Sequence, residues 1–139
     1  MMRERGPRRA GGYLMFLDIG NGERIDNPTP EQIGHHLRNL PGNAPFLILN
    51  ADDEHFIQAT PAGDLFRVEW RQEAQQWFMV VPLDGAVQSF LAFRSWDEQA
   101  LKAFAWKRLG LLNDPYRRMV LALLIFVAVA LVCLWAALR

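Results

Sequence analysis

The consecutive residues Asp52, Asp53, Glu54 and His55 are the densest group of possible metal ligands in the sequence. Carboxylate oxygens and an imidazole nitrogen are ligands that divalent cations accept. Consecutive residues at a hairpin tip point in different directions, however, and neither a glycine-spaced calcium loop nor a second His/Cys pair at zinc spacing is present. We therefore interpret the cluster as a solvated turn and predict no metal and no cofactor. Asp52, Asp53 and Glu54 remain a candidate contact for a basic protein partner.

The sequence offers few groups for nucleophilic catalysis. Its serines are Ser89 and Ser95, and neither lies in a Gly-x-Ser-x-Gly turn. Cys133 is the single cysteine, and it lies in an apolar stretch where a thiolate is disfavoured. His35 and His36 are neighbours, about 100° apart on a helix, so they cannot share a metal as an i, i+4 pair can. We predict that the protein is not an enzyme.

Two surfaces are candidates for binding a protein partner. Arg67, Glu69 and Arg71 alternate with large apolar residues, which places the three charged side chains on the exposed face of one strand. Such a face is also typical of a surface that is merely solvated. Trp96 stands beside two acidic residues at the start of a helix, so we expect it to be partly exposed, and Trp is frequent at interface hot spots. Most of the other tryptophans are expected in the core.

The charge balance bears on the class of partner. The chain has 15 Lys plus Arg against 15 Asp plus Glu, which gives a formal net charge of zero. A neutral chain produces no overall field that attracts a polyanion. We therefore expect no nucleic-acid partner.

Turn and cap residues mark where the first elements begin. Asn21-Gly22 predicts a type I′ hairpin turn, because both residue types accept a positive φ. Thr29 and Gln32 form a capping box around Pro30, and proline suits the first helical position. A strand hairpin followed by a helix is therefore predicted.

Periodicity predicts the later elements. The apolar run over residues 46–49 is consistent with a central strand covered on both faces, and residues 50–54 with a polar turn. Apolar residues at helical spacing predict a helix from Leu83 to near Arg94. Ser95 and Glu98 form a second possible capping box, which predicts a short third helix.

The order of the elements indicates the fold class. A strand, a helix, a run of strands and then helices are typical of α+β domains. We predict an antiparallel sheet of about four to six strands with two or three helices packed on one face. The predicted segments are a basic disordered leader (1–12), the α+β binding domain (13–109), a linker with a basic juxtamembrane segment (110–118) and a transmembrane helix (119–138).

The last segment, residues 119–138, contains no charged residue, proline or glycine. A helix of this length spans about 30 Å, which matches the hydrocarbon core of a bilayer. Lys107, Arg108, Arg117 and Arg118 precede the segment, whereas Arg139 alone follows it. The positive-inside rule therefore predicts a cytoplasmic N-terminal domain, with Arg117 and Arg118 near anionic headgroups.

Several segments of the chain together resemble a known family. They are IDNPTPEQI (25–33), FIQA (56–59), FRVEWR (66–71), FLAFRSW (90–96) and FAWKRL (104–109). In this order, over residues 14–109, they resemble the first-numbered immunity-protein family (Imm-type) of bacterial polymorphic toxin systems. The resemblance implies a small α+β domain that inhibits a cognate toxin by binding it, without catalysis. It assigns no site residue, because toxin-binding residues in such proteins differ from pair to pair, and the membrane tail lies outside the family domain.

The combined prediction is a membrane-tethered, non-catalytic binding protein, specifically an immunity-like inhibitor of a bacterial toxin. Its expected location is the bacterial inner membrane, which it crosses once, with the N-terminal domain in the cytoplasm. Its expected partners are a cognate toxin or another protein, and membrane lipid through the C-terminal helix. The alternative hypothesis is a structural or adaptor subunit of a membrane complex that uses the span itself as an interface.

Overall fold

The structure is a computed structural model that describes residues 14–110 and 115–138, with side chains of the last segment described from Arg118 onward. The predicted leader over residues 1–12 lies outside the described residues. Linker residues 111–114 and the side chain of Arg117 lie outside them as well. The chain divides into two compact units, Met1–Lys107 and Arg108–Arg139.

The described part of the larger unit is an α+β domain built on a seven-stranded antiparallel sheet, so the predicted class is confirmed. The elements in chain order are β1 (Phe16–Ile19), β2 (Arg24–Asp26), α1 (Pro30–Arg38), β3 (Leu47–Asp52), β4 (His55–Ala62), β5 (Leu65–Gln72), β6 (Gln75–Val81), α2 (Leu83–Arg94), α3 (Glu98–Lys102) and β7 (Lys107–Arg108). The strand order is β2-β1-β3-β4-β5-β6-β7. The short edge strands β2 and β7 bring the sheet above the predicted number of strands.

The helices cover one face of the sheet. Helix α2 packs on β4, β5 and β6, and α1 packs against α2. Buried and less buried residues alternate along β1, β5 and the middle of β3 and β4, as the side-chain alternation along a strand requires. The buried residues on this covered face and on the helices above it include Leu17, Ile19, Ile33, Leu37, Leu47, Leu49, Ile57, Ala59, Phe66, Val68, Trp70, Met79, Phe90 and Phe93. Removing this apolar surface from water is the main stabilising contribution to the domain.

The start of α1 confirms the predicted capping box. The Thr29 hydroxyl accepts a hydrogen bond from the Gln32 backbone N–H at 3.2 Å, and the Gln32 side-chain oxygen accepts one from the Thr29 N–H at 2.9 Å. Pro30 is the first helical residue, where its missing N–H costs no hydrogen bond. Local side-chain chemistry therefore fixes the position of this helix.

Strand β3 differs from the prediction in its length and in its burial. It continues to Asp52, so of the predicted turn residues only Asp53 and Glu54 lie outside the strands. Leu47 and Leu49 are fully buried, whereas Ile48 is only half-buried. The prediction of a strand covered on both faces is wrong, because a continuous apolar run does not reveal that the helices pack on one side only.

The first hairpin forms as predicted, but its turn is not of type I′. Gly22 has a φ of +95°, and Asn21 has no positive φ. The Gly22 N–H donates to the Ile19 carbonyl at 3.0 Å, and the Ile19 N–H donates to the Glu23 carbonyl at 2.9 Å. This pattern is a three-residue loop with a glycine bulge. The Asn21 side chain instead accepts a hydrogen bond from the Glu23 N–H at 3.0 Å.

The N-cap of α3 is Asp97 and not Ser95. The Asp97 carboxylate accepts a hydrogen bond from the Ala100 N–H at 3.0 Å. The Ser95 hydroxyl donates to the Leu91 carbonyl at 2.9 Å, and Ser95 is the C-cap of α2. The predicted Ser95/Glu98 capping box is therefore wrong, because Ser95 still serves the helix that precedes it.

The described part of the smaller unit contains one long helix, α4 (Pro115–Ala137). Its stretch Arg118–Ala137 has 20 residues and a mean hydropathy of 3.0, and none of it is buried within the protein. The helix is long enough and apolar enough to cross a membrane. The predicted span of 119–138 agrees with this stretch to within one residue at each end.

Candidate functional site

The face of the sheet opposite α1 and α2 is not covered by any described element of the larger unit, and none of its side chains is fully buried. We name this surface the open face. Its residues are Phe16, Asp18, Arg24, Asp26, Ile48, Asn50, Phe56, Gln58, Thr60, Arg67, Glu69, Arg71, Gln76, Phe78 and Val80. The predicted residues Arg67, Glu69 and Arg71 all lie there.

The strand register arranges the open face in three rows that run across the strands. The first row is Asp26, Phe16, Asn50, Phe56, Arg71 and Gln76; the second is Arg24, Asp18, Ile48, Gln58, Glu69 and Phe78; the third is Thr60, Arg67 and Val80. Aromatic, aliphatic, amide and charged side chains are interleaved within the rows. The arginines and the carboxylates of the open face are equal in number. The open face is therefore mixed in polarity and balanced in charge.

Arg67 is held in place by two neighbours on the open face. Its Nη2 lies 3.0 Å from the Glu69 Oε1, and its Cζ lies 4.5 Å from the centre of the Phe78 ring. The Arg67 side chain is 33% exposed and the Glu69 side chain 20%, so water screens this pair only in part. The guanidinium is thus oriented before any partner binds.

The same arrangement recurs on the edge of the sheet at β1 and β2. The Arg24 Nε donates to the Asp26 Oδ1 at 3.0 Å, and its Cζ lies 3.7 Å from the centre of the Phe16 ring. Here the side chains are far more exposed, at 59% for Arg24 and 81% for Asp26. The open face therefore carries two Arg–carboxylate–Phe clusters, one inside the sheet and one at its rim.

The predicted acidic turn lies at the tip of the β3–β4 hairpin, where Asp52 pairs with His55. The His55 Nδ1–H donates to the two Asp52 carboxylate oxygens at 2.8 and 2.9 Å. Partial burial of Asp52 would raise its pKa, but hydrogen bonds from the His55 side chain and the Glu54 backbone outweigh burial and lower the pKa of this carboxyl. Asp53 and Glu54 are exposed at the tip.

Trp96 lies beside this turn and not beside the charged strand residues. Its ring centre is 5.7 Å from that of His55 and 5.5 Å from that of Phe93, and it has a φ of +55°. Trp96 is half-buried, in agreement with the expected partial exposure. The structure therefore separates the predicted binding residues into two groups, with Asp52 and Trp96 near the hairpin tip and Arg67, Glu69 and Arg71 on the open face.

The sequence did not predict a groove of about 570 Å³ that lies beside the β5–β6 turn. We name it the aromatic groove, and its lining residues are Trp70, Gln72, Glu73, Ala74, Gln75, Trp77, Lys102, Phe104 and Trp106. Trp70 stacks on Trp77 with ring centres 4.7 Å apart, and the Trp106 ring centre lies 5.6 Å from that of Trp70. Trp70 is buried in the core, whereas Trp77 and Trp106 are half-buried. In the sequence, only the number of tryptophans had pointed to an aromatic surface of this kind.

The Ser89 hydroxyl and the imidazoles of His35 and His36 make structural contacts. The Ser89 hydroxyl donates to the Ala86 carbonyl at 2.8 Å, within α2. The His35 and His36 rings meet edge to face at 5.2 Å. Burial, and secondarily the neighbouring His35, lower the pKa of His36 against an opposing effect of Glu23. Within residues 14–110 and 118–138, no group of three or more His, Cys, Asp or Glu residues is placed to hold a metal ion.

Comparisons with protein-family models, with curated proteins and with solved structures return no match to this chain.

Proposed function

We propose that this protein is a membrane-tethered, non-catalytic binding domain, and that its open face receives a protein partner. The observation that carries the proposal is the pair of Arg–carboxylate–Phe clusters on an uncovered sheet face. Arginine and aromatic side chains dominate the binding energy of protein interfaces. Here they are held in position by neighbours, so little conformational entropy is lost when a partner binds.

The balanced charge of the open face favours a protein partner over a polyanion. Its arginines are Arg24, Arg67 and Arg71, and its carboxylates are Asp18, Asp26 and Glu69. A surface that neutralised phosphates would need an excess of Lys and Arg. Interleaved charges of both signs instead match a mixed protein surface and disfavour wrong partners through like-charge contacts.

The partner we propose is a bacterial protein toxin, in line with the resemblance to immunity proteins. The proposed location is the inner membrane, with the domain on the cytoplasmic side, because basic residues accumulate before α4 and not after it. Tethering to the membrane raises the local concentration of the inhibitor where a toxin enters the cell or acts on the bilayer.

A survival assay tests this proposal. The full chain is co-expressed with each candidate toxin encoded next to its own gene, and we expect growth to be restored for one of them. The double variant Arg67→Ala/Phe78→Ala should lose protection, whereas Gln88→Ala, an exposed residue of α2 on the opposite side of the domain, should retain it. Survival no better than with an empty vector, for every candidate toxin, would refute the proposed function.

The alternative, an adaptor subunit assembled through its span, is favoured by one observation. The described side chains of α4 make no buried contact, so the helix presents its whole apolar surface to lipid or to another helix. Removing residues from Met119 onward separates the two functions. A toxin inhibitor should still bind its toxin, whereas a subunit assembled through the span should lose its partner in a pull-down assay.

A further inference from the structure

The aromatic groove plays no part in the proposed protein-binding surface, and its composition is unlike that of the open face. It combines the half-buried rings of Trp77, Phe104 and Trp106 with the exposed side chain of Lys102. The Trp106 indole N–H donates to the Leu101 carbonyl at 2.7 Å, which fixes the ring with one edge satisfied and its body at the surface. Rings with an apolar body and a polar edge are typical of the membrane–water interface.

The groove is close in sequence to the proposed membrane anchor. Trp106 precedes Pro115, the first residue of α4, by nine positions. A chain covers at most about 3.6 Å per residue, so the tether that joins these two residues is no longer than about 32 Å. A domain on so short a tether remains at the bilayer surface and meets lipid at a high effective concentration.

One basic and one acidic side chain, Lys102 and Glu73, line the groove, and Lys107, which follows Trp106 in the chain, adds a second basic group. The Lys102 side chain is 64% exposed, and Lys107 in β7 is exposed as well. Lys102 lies 3.4 Å from Glu98, a contact between exposed groups that contributes little and leaves the ammonium accessible. A Lys side chain near an anionic bilayer is attracted to the headgroups.

We propose that the groove end of the domain rests on the headgroup layer of an anionic bilayer. The rings of Trp77, Phe104 and Trp106 enter the interfacial region, and Lys102 and Lys107 lie over anionic headgroups. This inference rests on the proposed function only in that α4 anchors the chain in a membrane. In this orientation β6 lies near the bilayer. β2 lies toward the opposite edge of the sheet, about 24 Å from β6.

The single cysteine of the chain makes a direct test possible. In a Cys133→Ala background, an environment-sensitive fluorophore is attached either at Gln75→Cys, on the groove rim, or at Glu23→Cys, in the exposed loop before β2. The full-length protein is placed in phosphatidylglycerol/phosphatidylcholine vesicles that contain a lipid with a spin-labelled headgroup. We expect the label at position 75 to be quenched about twofold or more strongly than the label at position 23.

Charge reversal provides the second measurement. Lys102→Glu/Lys107→Glu should abolish the additional quenching at position 75 and leave the quenching at position 23 unchanged. Vesicles of phosphatidylcholine alone should have the same effect on the unsubstituted protein. Circular dichroism of each labelled variant verifies that the domain is folded. Equal quenching at the two positions in anionic vesicles, with the fold intact, would overturn the inference.

Flotation of the vesicles separates this inference from the proposed function. Protein that fails to float with vesicles refutes the membrane anchor, and with it both proposals. Protein that floats without preferential quenching at position 75 refutes the orientation alone, because protein binding by the open face does not require it.

Discussion

The covered face and the open face of the sheet are built by alternate residues of the same strands, and they differ in almost every respect. On β3, Leu49 is completely buried beneath the helices, whereas its neighbour Ile48 is half-buried on the open face. On β5, Val68 is buried between two charged residues that project the other way. The comparison indicates that one face holds the domain together, and that the other is available for recognition at little cost in stability.

The adjacent residues of β3 give the largest expected contrast. Leu49→Ala removes a fully buried side chain and should lower the free energy of unfolding by about 2–5 kcal/mol. Ile48→Ala should cost less than half as much, because Ile48 already contacts water. Urea unfolding of the detergent-solubilised full chain, followed by tryptophan fluorescence, measures both. Equal losses would show that the open face is covered in the intact protein.

Two arginines extend the same comparison to polar contacts. The Arg94 Nε donates to the Pro28 carbonyl at 2.8 Å in a partly buried position, which connects the end of α2 to the chain before α1. The Arg71 Nε donates to the Glu73 carbonyl at 3.1 Å in an exposed position. Arg94→Ala should destabilise by about 1–3 kcal/mol. Arg71→Ala should stay within about 0.5 kcal/mol in the same denaturation assay.

Acidification should reduce the free energy of unfolding by less than Leu49→Ala or Arg94→Ala does. The groups responsible, His36 and Asp52, lie off the open face. The pKa of His36 is lowered in the folded protein, so its contribution begins to be lost as the pH falls through the ordinary value of 6.5. The pKa of Asp52 is also lowered, so its contribution is present above its ordinary value of 3.8 and is lost below it. Thermal unfolding between pH 7 and pH 3, at about half-unit steps, should show stability falling in both windows. Asp52→Asn should reduce only the loss of stability below pH 3.8 and leave the loss below pH 6.5 unchanged.

Arg67→Ala should have a small effect on stability and a large effect on binding. Its ion pair with Glu69 is partly exposed, so the free energy of unfolding should change by no more than about 1 kcal/mol. Under the proposed function, protection in the survival assay should nevertheless fall strongly, because the oriented guanidinium lies inside the open face. A variant that keeps full protection would place the binding surface elsewhere on the domain.

Local chemistry in the sequence predicted the elements whose boundaries depend on a few neighbouring residues. Thr29 and Gln32 satisfy each other's backbone groups within one helical turn, so their pattern is sufficient to place α1. The alternation around Val68 likewise depends only on the geometry of one strand. Such signals predicted the α+β class and placed Arg67, Glu69 and Arg71 on a common face.

Features that depend on distant segments were not predictable in this way. The one-sided burial of β3 depends on where the helices pack, and the sequence of β3 is apolar on both sides. Ser95 and Asp97 are both good N-cap residues, and the choice between them depends on where α2 ends. In the aromatic groove, Trp70 and Trp77 are partners across one hairpin, but Trp106 comes from a distant segment, so the spacing in the chain does not predict that it joins them.

The two edge strands have a consequence for how a partner can be selected. β2 has 3 residues and β7 has 2, so each terminal strand offers only a short row of backbone groups for pairing with another chain. Backbone pairing is tolerant of sequence, whereas contacts across a sheet face depend on which side chains meet. As the proposed binding surface, the open face can thus diverge by point substitution, one contact at a time, while the scaffold is preserved.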